Sequence, residues 1–583
     1  MTYQAPVKDI AFSLFEAAGF ARLTSYGDDR ETVEAVLEAA GELASGVLAP
    51  LNRSGDQQGS RLLNGRVVAP DGFAGAYQAF AQGGWNSLSA REEFGGQALP
   101  KALELAVFEM VNGANMAFAL CPTLTQAAIE ALQAHGTPRQ QALYLPRLVS
   151  GEWTGTMHLT EPQAGSDLAA IRTLAEPDGD GAWSLKGEKI FITWGDHDLT
   201  DNIVHLILAR TPGAPEGARG LSLFLASNRL VGEDGSLGEA NRLRAASLEH
   251  KLGIHASPTC VMLYEGAKAE LVGELHQGLP HMFTMMNAAR VLVGVQGVGV
   301  AEAAFQHALG YARERRQGRS AWSQTQPAAI IDHPDVRRTL MLMKARIEAA
   351  RAICLATGVA ADLSQLSPDE AERVSAGQRA ELLTPIAKAW STDTGVEVAS
   401  LGVQVHGGMG FIEETGAAQF YRDARIAPIY EGTNGIQAID LVGRKLAMAG
   451  GEPVRALLAE MRSIRPDLAV HAELARLCEP LEAGVAAVEQ AAGWLAAHPG
   501  ADALAGATAC LGLFGDVLGG FMLAKGALAA ARRLNAGEDG AWLRGKIGLA
   551  RVYADHALAA APGRLGAVTA GSGDLETAEA ILA

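Results

Sequence analysis

Glu431 has the setting that most suggests chemistry in this chain. It stands between Tyr430 and Gly432 in the run Ile-Tyr-Glu-Gly-Thr-Asn-Gly-Ile-Gln at positions 429 to 437. A carboxylate among apolar neighbours is costly to bury and tends to a raised pKa. That property suits a base that must take a proton from carbon. Three other segments carry groups suited to a bulky ligand. At 160 to 167, Thr-Glu-Pro-Gln-Ala-Gly-Ser-Asp bends at Pro162 and Gly165. It leaves Thr160, Ser166 and backbone N–H groups as donors, although by itself it reads as a polar turn. At 189 to 195, Lys-Ile-Phe-Ile-Thr-Trp-Gly has a strand's period of two, so Phe191 and Thr193 share one face and offer a flat ring an aromatic and a hydroxyl together. At 404 to 410, Gln-Val-His-Gly-Gly-Met-Gly follows a helical run; its glycines suit either a close approach to a pyrophosphate or a tight helix-ending turn.

Other features invite weaker readings. Gly294-Val-Gln-Gly-Val-Gly lacks the order of a dinucleotide fingerprint and joins no strand to a helix, so small residues for close helix packing are expected. His255 and His406 have no second His or Cys at metal spacing, so no metal site is expected. Arg337 and Arg338 read as a solvated helix face. The acidic run from Asp369 to Glu372 reads as a helix start.

The elements that position these segments follow from periodicity. An N-terminal helical extension over 1–40 precedes an α domain over 41–155, in which Thr137-Pro138 marks a helix start. From 156 to 275 the apolar runs become short and β-rich, with strands expected at 189–193, 203–209, 221–225 and 259–263. Long helical patterns return over 276–449 and carry Glu431. Gly450-Gly451-Glu452-Pro453 reads as a linker, and 454–583 reads as an Ala- and Leu-rich bundle of three or four helices. The fold class is therefore mainly α with a central β domain.

Composition narrows the function classes. A chain of 583 residues exceeds one hydrophobic core. With 48% hydrophobic and 19% charged residues it is an ordinary globular protein. A net charge of −17 opposes binding to a nucleic-acid backbone. Five scattered cysteines, none in a Cys-x-x-Cys pair, read as reduced thiols and fit the cytoplasm. The stretch 511–530 is interrupted by Asp516 and Lys525, and no membrane span is expected.

The four chemical segments, in this order and at these separations, resemble the acyl-CoA dehydrogenase superfamily. The resemblance covers about 40–446, and the added helices point to the long branch that contains 3-methylmercaptopropionyl-CoA dehydrogenase. It implies an α-helical, β-barrel-like, α-helical fold and FAD as cofactor. Met157, Leu159 and Thr160 would border the isoalloxazine, with Phe191, often Trp in the family, and Thr193 on its other flank. Arg315, Gln317, Gln404, Gly407 and Gly408 would meet the FAD of a neighbouring subunit. The segment around Gln317 is one residue shorter here than in many relatives. Thr433 and Asn434 would touch FAD beside the base, while Ser166, Asn287, Arg290 and Gly432 would line the acyl-CoA side. Some relatives place the base on the helix of Asn287, but Ala288 and Ala289 stand there in this chain, leaving Glu431.

The resemblance further implies α,β-dehydrogenation of an acyl-CoA to the trans-2-enoyl-CoA. Glu431 would take the α-proton while FAD takes the β-hydride. The Glu431 N–H and a ribityl hydroxyl of FAD would hold the thioester oxygen. Electrons would pass to an electron-transfer flavoprotein, and the FAD site implies a homodimer or homotetramer. An acyl-CoA oxidase and a flavin-containing nucleic-acid-binding relative are the alternatives; the negative charge opposes the second. The acyl group stays open between short straight chains and thioether-containing ones. The C-terminal helices are expected to pack at a dimer interface rather than on a membrane.

Overall fold

The computed structural model describes residues 3–582 apart from 24, 25, 28, 180 and 539. Two compact units divide the chain. One comprises Met1–Gly41, Lys101–Gly113 and Val293–Ala583; the other comprises Glu42–Pro100 and Ala114–Leu292.

The second unit holds the sheet. Its strands are β1 (Thr154–His158), β2 (Leu174–Pro177), β3 (Trp183–Thr193), β4 (Ile203–Arg210), β5 (Leu221–Ser227), β6 (Leu243–Leu248) and β7 (Thr259–Val272). β4 pairs with β5, β5 with β7, β7 with β3, β3 with β2, and β2 with β4, which closes a five-strand circuit. Closure is what makes the domain barrel-like: it leaves β1 and β6 as additions on the outside of the ring. The inner cluster includes Leu185, Ile192, Phe224, Cys260 and Met262, all buried. The expected strand at 259–263 extends to Val272 because two bulges let β7 bend and pair with three neighbours.

Helix signals in this unit behave as anticipated at Thr137. Its hydroxyl accepts from Gln140 N while the Gln140 side chain accepts from Thr137 N, a complete capping box with Pro138 in the first turn. The long helix Lys101–His135, whose first turns up to Gly113 belong to the other unit, departs from helical geometry at Asn115. The Asn115 carboxamide accepts from Phe118 N and so caps the stretch that follows.

The first unit is helical. Its principal members are α1 (Pro334–Leu366), α2 (Glu370–His406), α3 (Asn434–Asp440), α4 (Cys478–Ala497), α5 (Ala501–Asn535) and α6 (Ala541–His556). The expected continuous N-terminal helix is interrupted, since Gly19 adopts φ +86° between Val7–Phe12 and Arg30–Leu43. The glycines at 294, 297 and 299 serve packing. A Cβ at Gly294 or Gly297 would stand 2.6 Å from Ala387 O or 2.4 Å from Ser391 O, backbone atoms that cannot yield. Asp369 starts α2 by accepting from Ala371 N. Gly450 and Gly451, both at positive φ, precede the helix Glu452–Ser463.

The C-terminal helices pack within their own chain. Trp390 of α2 donates to Asp516 of α5 at 3.0 Å, and Tyr553 and Arg564 close on the same residue. Among the described residues three helices, Lys101–His135, Gly278–Glu314 and Ala501–Asn535, are long and apolar enough to cross a membrane, where the sequence reading expected no span. Their apolar windows are 83–100% buried within the protein, so protein packing accounts for the apolarity. All five cysteines are free, and only Cys478 is partly exposed.

Candidate active site

Glu431 lies on the irregular turn between the helix Ala417–Ala424 and α3. Its φ is +55°, a left-handed conformation that costs a non-glycine residue on the order of 1–2 kcal/mol. Such strain persists only where neighbours over-determine it. Two do so here. On one side the Tyr430 hydroxyl donates to Gln296 Oε1. Burial first, and the Glu431 charge second, push that hydroxyl well above the usual tyrosine range, so it remains a donor. On the other side Gly432, at φ +83°, leads into Thr433, whose Oγ1 accepts from Ile436 N and caps α3.

Asn434 ties this turn to α2. Its Oδ1 accepts from Lys388 Nζ at 2.9 Å, and its Nδ2 donates to Ala389 O, Thr392 Oγ1 and Asp393 Oδ1 at 3.1, 3.0 and 2.7 Å. Its backbone N–H closes the turn on Pro428 O. The side chain of Asn434 thus ties the turn that carries Glu431 to α2. Lys388 is fully buried, and periodicity alone gave no hint of its part.

At the other end of α2, Gly407 terminates the helix at φ +60°, ψ −140°. Among the described residues, and apart from the adjoining ones in the chain, no atom lies within 4 Å of where a Cβ would stand at Gly407 or Gly408. Gln404 is exposed, as are Arg315 and Gln317 in the loop after Gly278–Glu314. Among the described residues, no hydrogen bond or ion pair joins Arg315 or Gln317 to the Gln404–Gly408 stretch. The loop is instead pinned through its backbone, with Ile330 N donating to Arg315 O and Gln317 N to Ala328 O at 2.8 Å each.

In the sheet unit, the segments at 157–160 and 189–193 come together. Ile190 N donates to Thr160 O at 2.9 Å and Thr156 Oγ1 to Thr193 O at 2.8 Å. Met157 and Leu159 are buried and share a hydrophobic cluster with Ala164, Met285 and Ala289. Phe191 is 58% exposed and has φ +60°, an outlier for an aromatic residue. The cause is a bulge, because three steps along β3 from Lys189 to Ile192 face two along β7 from Met262 to Cys260. Phe191 is exposed and Thr193 half-buried, while Lys189 and Ile192 both turn inward.

That inward turn gives Lys189 a function that spacing could not reveal. Its Nζ donates to Leu159 O at 2.9 Å and to Glu161 Oε1 at 2.8 Å. Glu161 also accepts from Arg172 N, Thr173 N, Thr173 Oγ1 and Gln163 Nε2. Against the cost of burial, the Lys189 charge and these donors hold its carboxyl down at about 2. Burial lowers the Lys189 ammonium to about 8 in spite of Glu161. The polar turn at 160–167 is therefore ordered from inside by an ion pair. Ser166 stays exposed on it. Asn287 is exposed and accepts from Arg290 at 2.9 Å. Ala289 is buried and Ala288 partly so. No cluster of three or more His, Cys, Asp or Glu side chains among the described residues is placed to hold a metal ion.

Four family models match the chain in succession. They are the acyl-CoA dehydrogenase N-terminal domain over 30–152, the middle domain over 156–267 and the C-terminal domain over 276–447, followed by an acetyl-CoA dehydrogenase C-terminal-like domain over 454–579. The chain belongs to the acyl-CoA dehydrogenase family. It is an FAD-dependent oxidoreductase that carries out the family's α,β-dehydrogenation of acyl-CoA thioesters. It is 49% identical over 567 residues to 3-methylmercaptopropionyl-CoA dehydrogenase of Ruegeria pomeroyi, covering 96% of each chain. It is 33% identical to a butyryl-CoA dehydrogenase of Syntrophomonas wolfei, covering 94% of each. Among solved structures, ACDH-11 of Caenorhabditis elegans in complex with C11-CoA shares the fold with a TM-score of 0.79 at 22% identity, covering 96% of this chain and 92% of that one.

Proposed function

We propose that this acyl-CoA dehydrogenase acts on a short acyl-CoA, with the thioether-containing 3-(methylthio)propionyl group as first choice, and that Glu431 is its base. The substrate choice rests on the 49% identity along nearly the whole length of both chains. The butyryl-CoA dehydrogenase likeness supports a straight four-carbon chain as the second choice. The observation that carries Glu431 is its left-handed φ on a turn clamped by Tyr430–Gln296 and by Asn434. Strain retained at one carboxylate is a mark of a functional position.

The residues fit FAD. Bare backbone at Gly407 and Gly408 gives room for a pyrophosphate that a side chain would fill. Phe191 is presented outward beside Thr193, next to the ordered Thr160 turn. Met157, Leu159, Thr160, Phe191, Thr193 and Thr433 would hold the flavin side. Arg315, Gln317, Gln404, Gly407 and Gly408 would meet the FAD of a second subunit, in a homodimer or homotetramer. When bound, FAD accepts the hydride from the β-carbon.

The chain's own part is proton transfer and charge stabilisation. The Glu431 carboxylate takes the α-proton and becomes a carboxylic acid. As the thioester oxygen gains charge, the Glu431 backbone N–H donates to it. Ser166, Asn287, Arg290 and Gly432 would line the acyl-CoA side, Asn287 oriented by its bond from Arg290. An electron-transfer flavoprotein would reoxidise the enzyme, in the cytoplasm. The test is anaerobic titration with a panel of acyl-CoAs, following the flavin band in wild type and Glu431→Gln. The reading expects one thioester to bleach the wild type and to bind the variant without bleaching. Equal bleaching of both would remove Glu431 as the base.

A further inference from the structure

In the helical unit, a cavity of about 450 Å³ is lined by five parts of the chain. Val359 and Leu363 of α1 and Met522 of α5 give it an apolar floor. Arg22 from the N-terminal extension, Arg379 of α2 and Lys525 of α5 converge on it. Glu452 and Glu460 are its two carboxylates, so three cations stand against two anions in a chain whose net charge is −17.

The carboxylates do not balance the cations evenly. Arg22 is paired outside the cavity with Glu372 at 2.7 Å, and Arg379 takes Glu460 in a tight hydrogen bond. Lys525 is left with Glu460 at 3.9 Å and the face of Phe521, 5.5 Å from Nζ to the ring centroid, and, among the described residues, no hydrogen bond. Its side chain is three-quarters buried, at 25% exposure. Burial, with the Arg379 and Arg22 charges behind it, pushes the ammonium below the usual lysine range against the pull of Glu460. A mostly buried cation without a hydrogen-bond partner is an unfavourable feature unless something completes it.

We propose that this cavity binds a small amphiphilic carboxylate, the anion of a free carboxylic acid with a short aliphatic tail. The head pairs with Lys525 and Arg379, and the tail lies on Val359, Leu363 and Met522. A carboxylate matches both the arginine fork and the apolar floor, whereas inorganic phosphate has no group to cover that floor. Because the cavity walls come from the N-terminal extension, α1, α2, the segment after Gly451 and α5, the ligand binds the folded arrangement alone and raises its stability. The inference does not depend on which residue is the base.

The experiment uses the FAD-loaded enzyme with acyl-CoA present, so that the catalytic pocket is filled, and titrates octanoate by calorimetry and by thermal unfolding. Octan-1-ol and inorganic phosphate are the controls for tail and charge. Lys525→Met removes the charge at constant length, and Ala456→Phe fills the cavity from an exposed helix position. Octanoate is expected to bind and raise the melting temperature, to bind at least about 10-fold more weakly to Lys525→Met, as loss of a charged hydrogen bond implies, and to lose its effect in Ala456→Phe. Equal octanoate binding in the wild type and both variants would overturn the proposal. So would no binding once acyl-CoA is present, or matching effects of octanol or phosphate.

Discussion

Replacing Glu161 by Gln should destabilise the sheet unit by about 3–5 kcal/mol and loosen the turn that carries Thr160 and Ser166. The carboxylate receives Lys189 Nζ at 2.8 Å, Thr173 Oγ1 at 2.6 Å, Arg172 N at 2.7 Å and Thr173 N at 3.0 Å. A carboxamide of the same shape keeps one acceptor oxygen and presents an NH2 group to donors. The depression from the ordinary 4.5 to about 2 corresponds to about 3 kcal/mol at 1.36 kcal/mol per unit. Lys189, already lowered to about 8, loses the charge that supports it. It can then shed its proton near neutral pH, which caps its own further contribution at about 1–2 kcal/mol. Urea unfolding at pH 7, with flavin content followed in parallel, measures both effects. The double variant Glu161→Leu, Lys189→Met should be less destabilised than Glu161→Gln, because removing both partners leaves no buried charge. A midpoint loss worth under 1 kcal/mol in Glu161→Gln, or a double variant that behaves as the sum of two singles, would refute the reasoning.

The same pair sets a pH dependence. Because the folded pKa of Glu161 is depressed, its contribution is present above about 4.5 and is lost as pH falls towards 2. The stability gap between wild type and Glu161→Gln should therefore close across that window in acid unfolding curves. Asn434→Ala should cost about 2–4 kcal/mol, since it removes a hydrogen bond from the buried Lys388 ammonium and three donated bonds; rapid kinetics should show slower flavin reduction with acyl-CoA affinity changed less. Gly407→Val forces a β-branched residue into φ +60° and fills open space. It should strip FAD during gel filtration, and full flavin retention would remove the pyrophosphate assignment there.

The strand positions, the helix started at Thr137 and the choice of small residues at 294 and 297 rest on local rules. Turn residues, caps and periodicity act within a few residues of themselves. The family resemblance likewise rests on linear segments, which is why Glu431 stood out from its neighbours alone. Their order along the chain carried the rest of that reading.

What the linear pattern could not contain is pairing between residues distant in sequence. The bulge that turns Phe191 outward exists because β3 must stay in register with β7, some 70 positions away. Lys189 looked like the first residue of a strand, and only the closing of the barrel buried it against Glu161. Asn434 stood beside Glu431 in the sequence, and only folding brought Lys388, Ala389, Thr392 and Asp393 of α2 to its side chain. Asp516 and Lys525 interrupt the apolar run of α5 equally in the sequence, yet they meet opposite fates. Trp390 and Arg564 satisfy Asp516, while Lys525 faces a cavity with its nearest carboxylate 3.9 Å away. The sequence by itself determined most of the helices, strands and turns and the order of the segments that carry the family resemblance, because those follow from local spacing. Tertiary structure alone decided which polar groups are satisfied, because a buried charge is stabilised or left wanting by partners that folding brings from elsewhere in the chain.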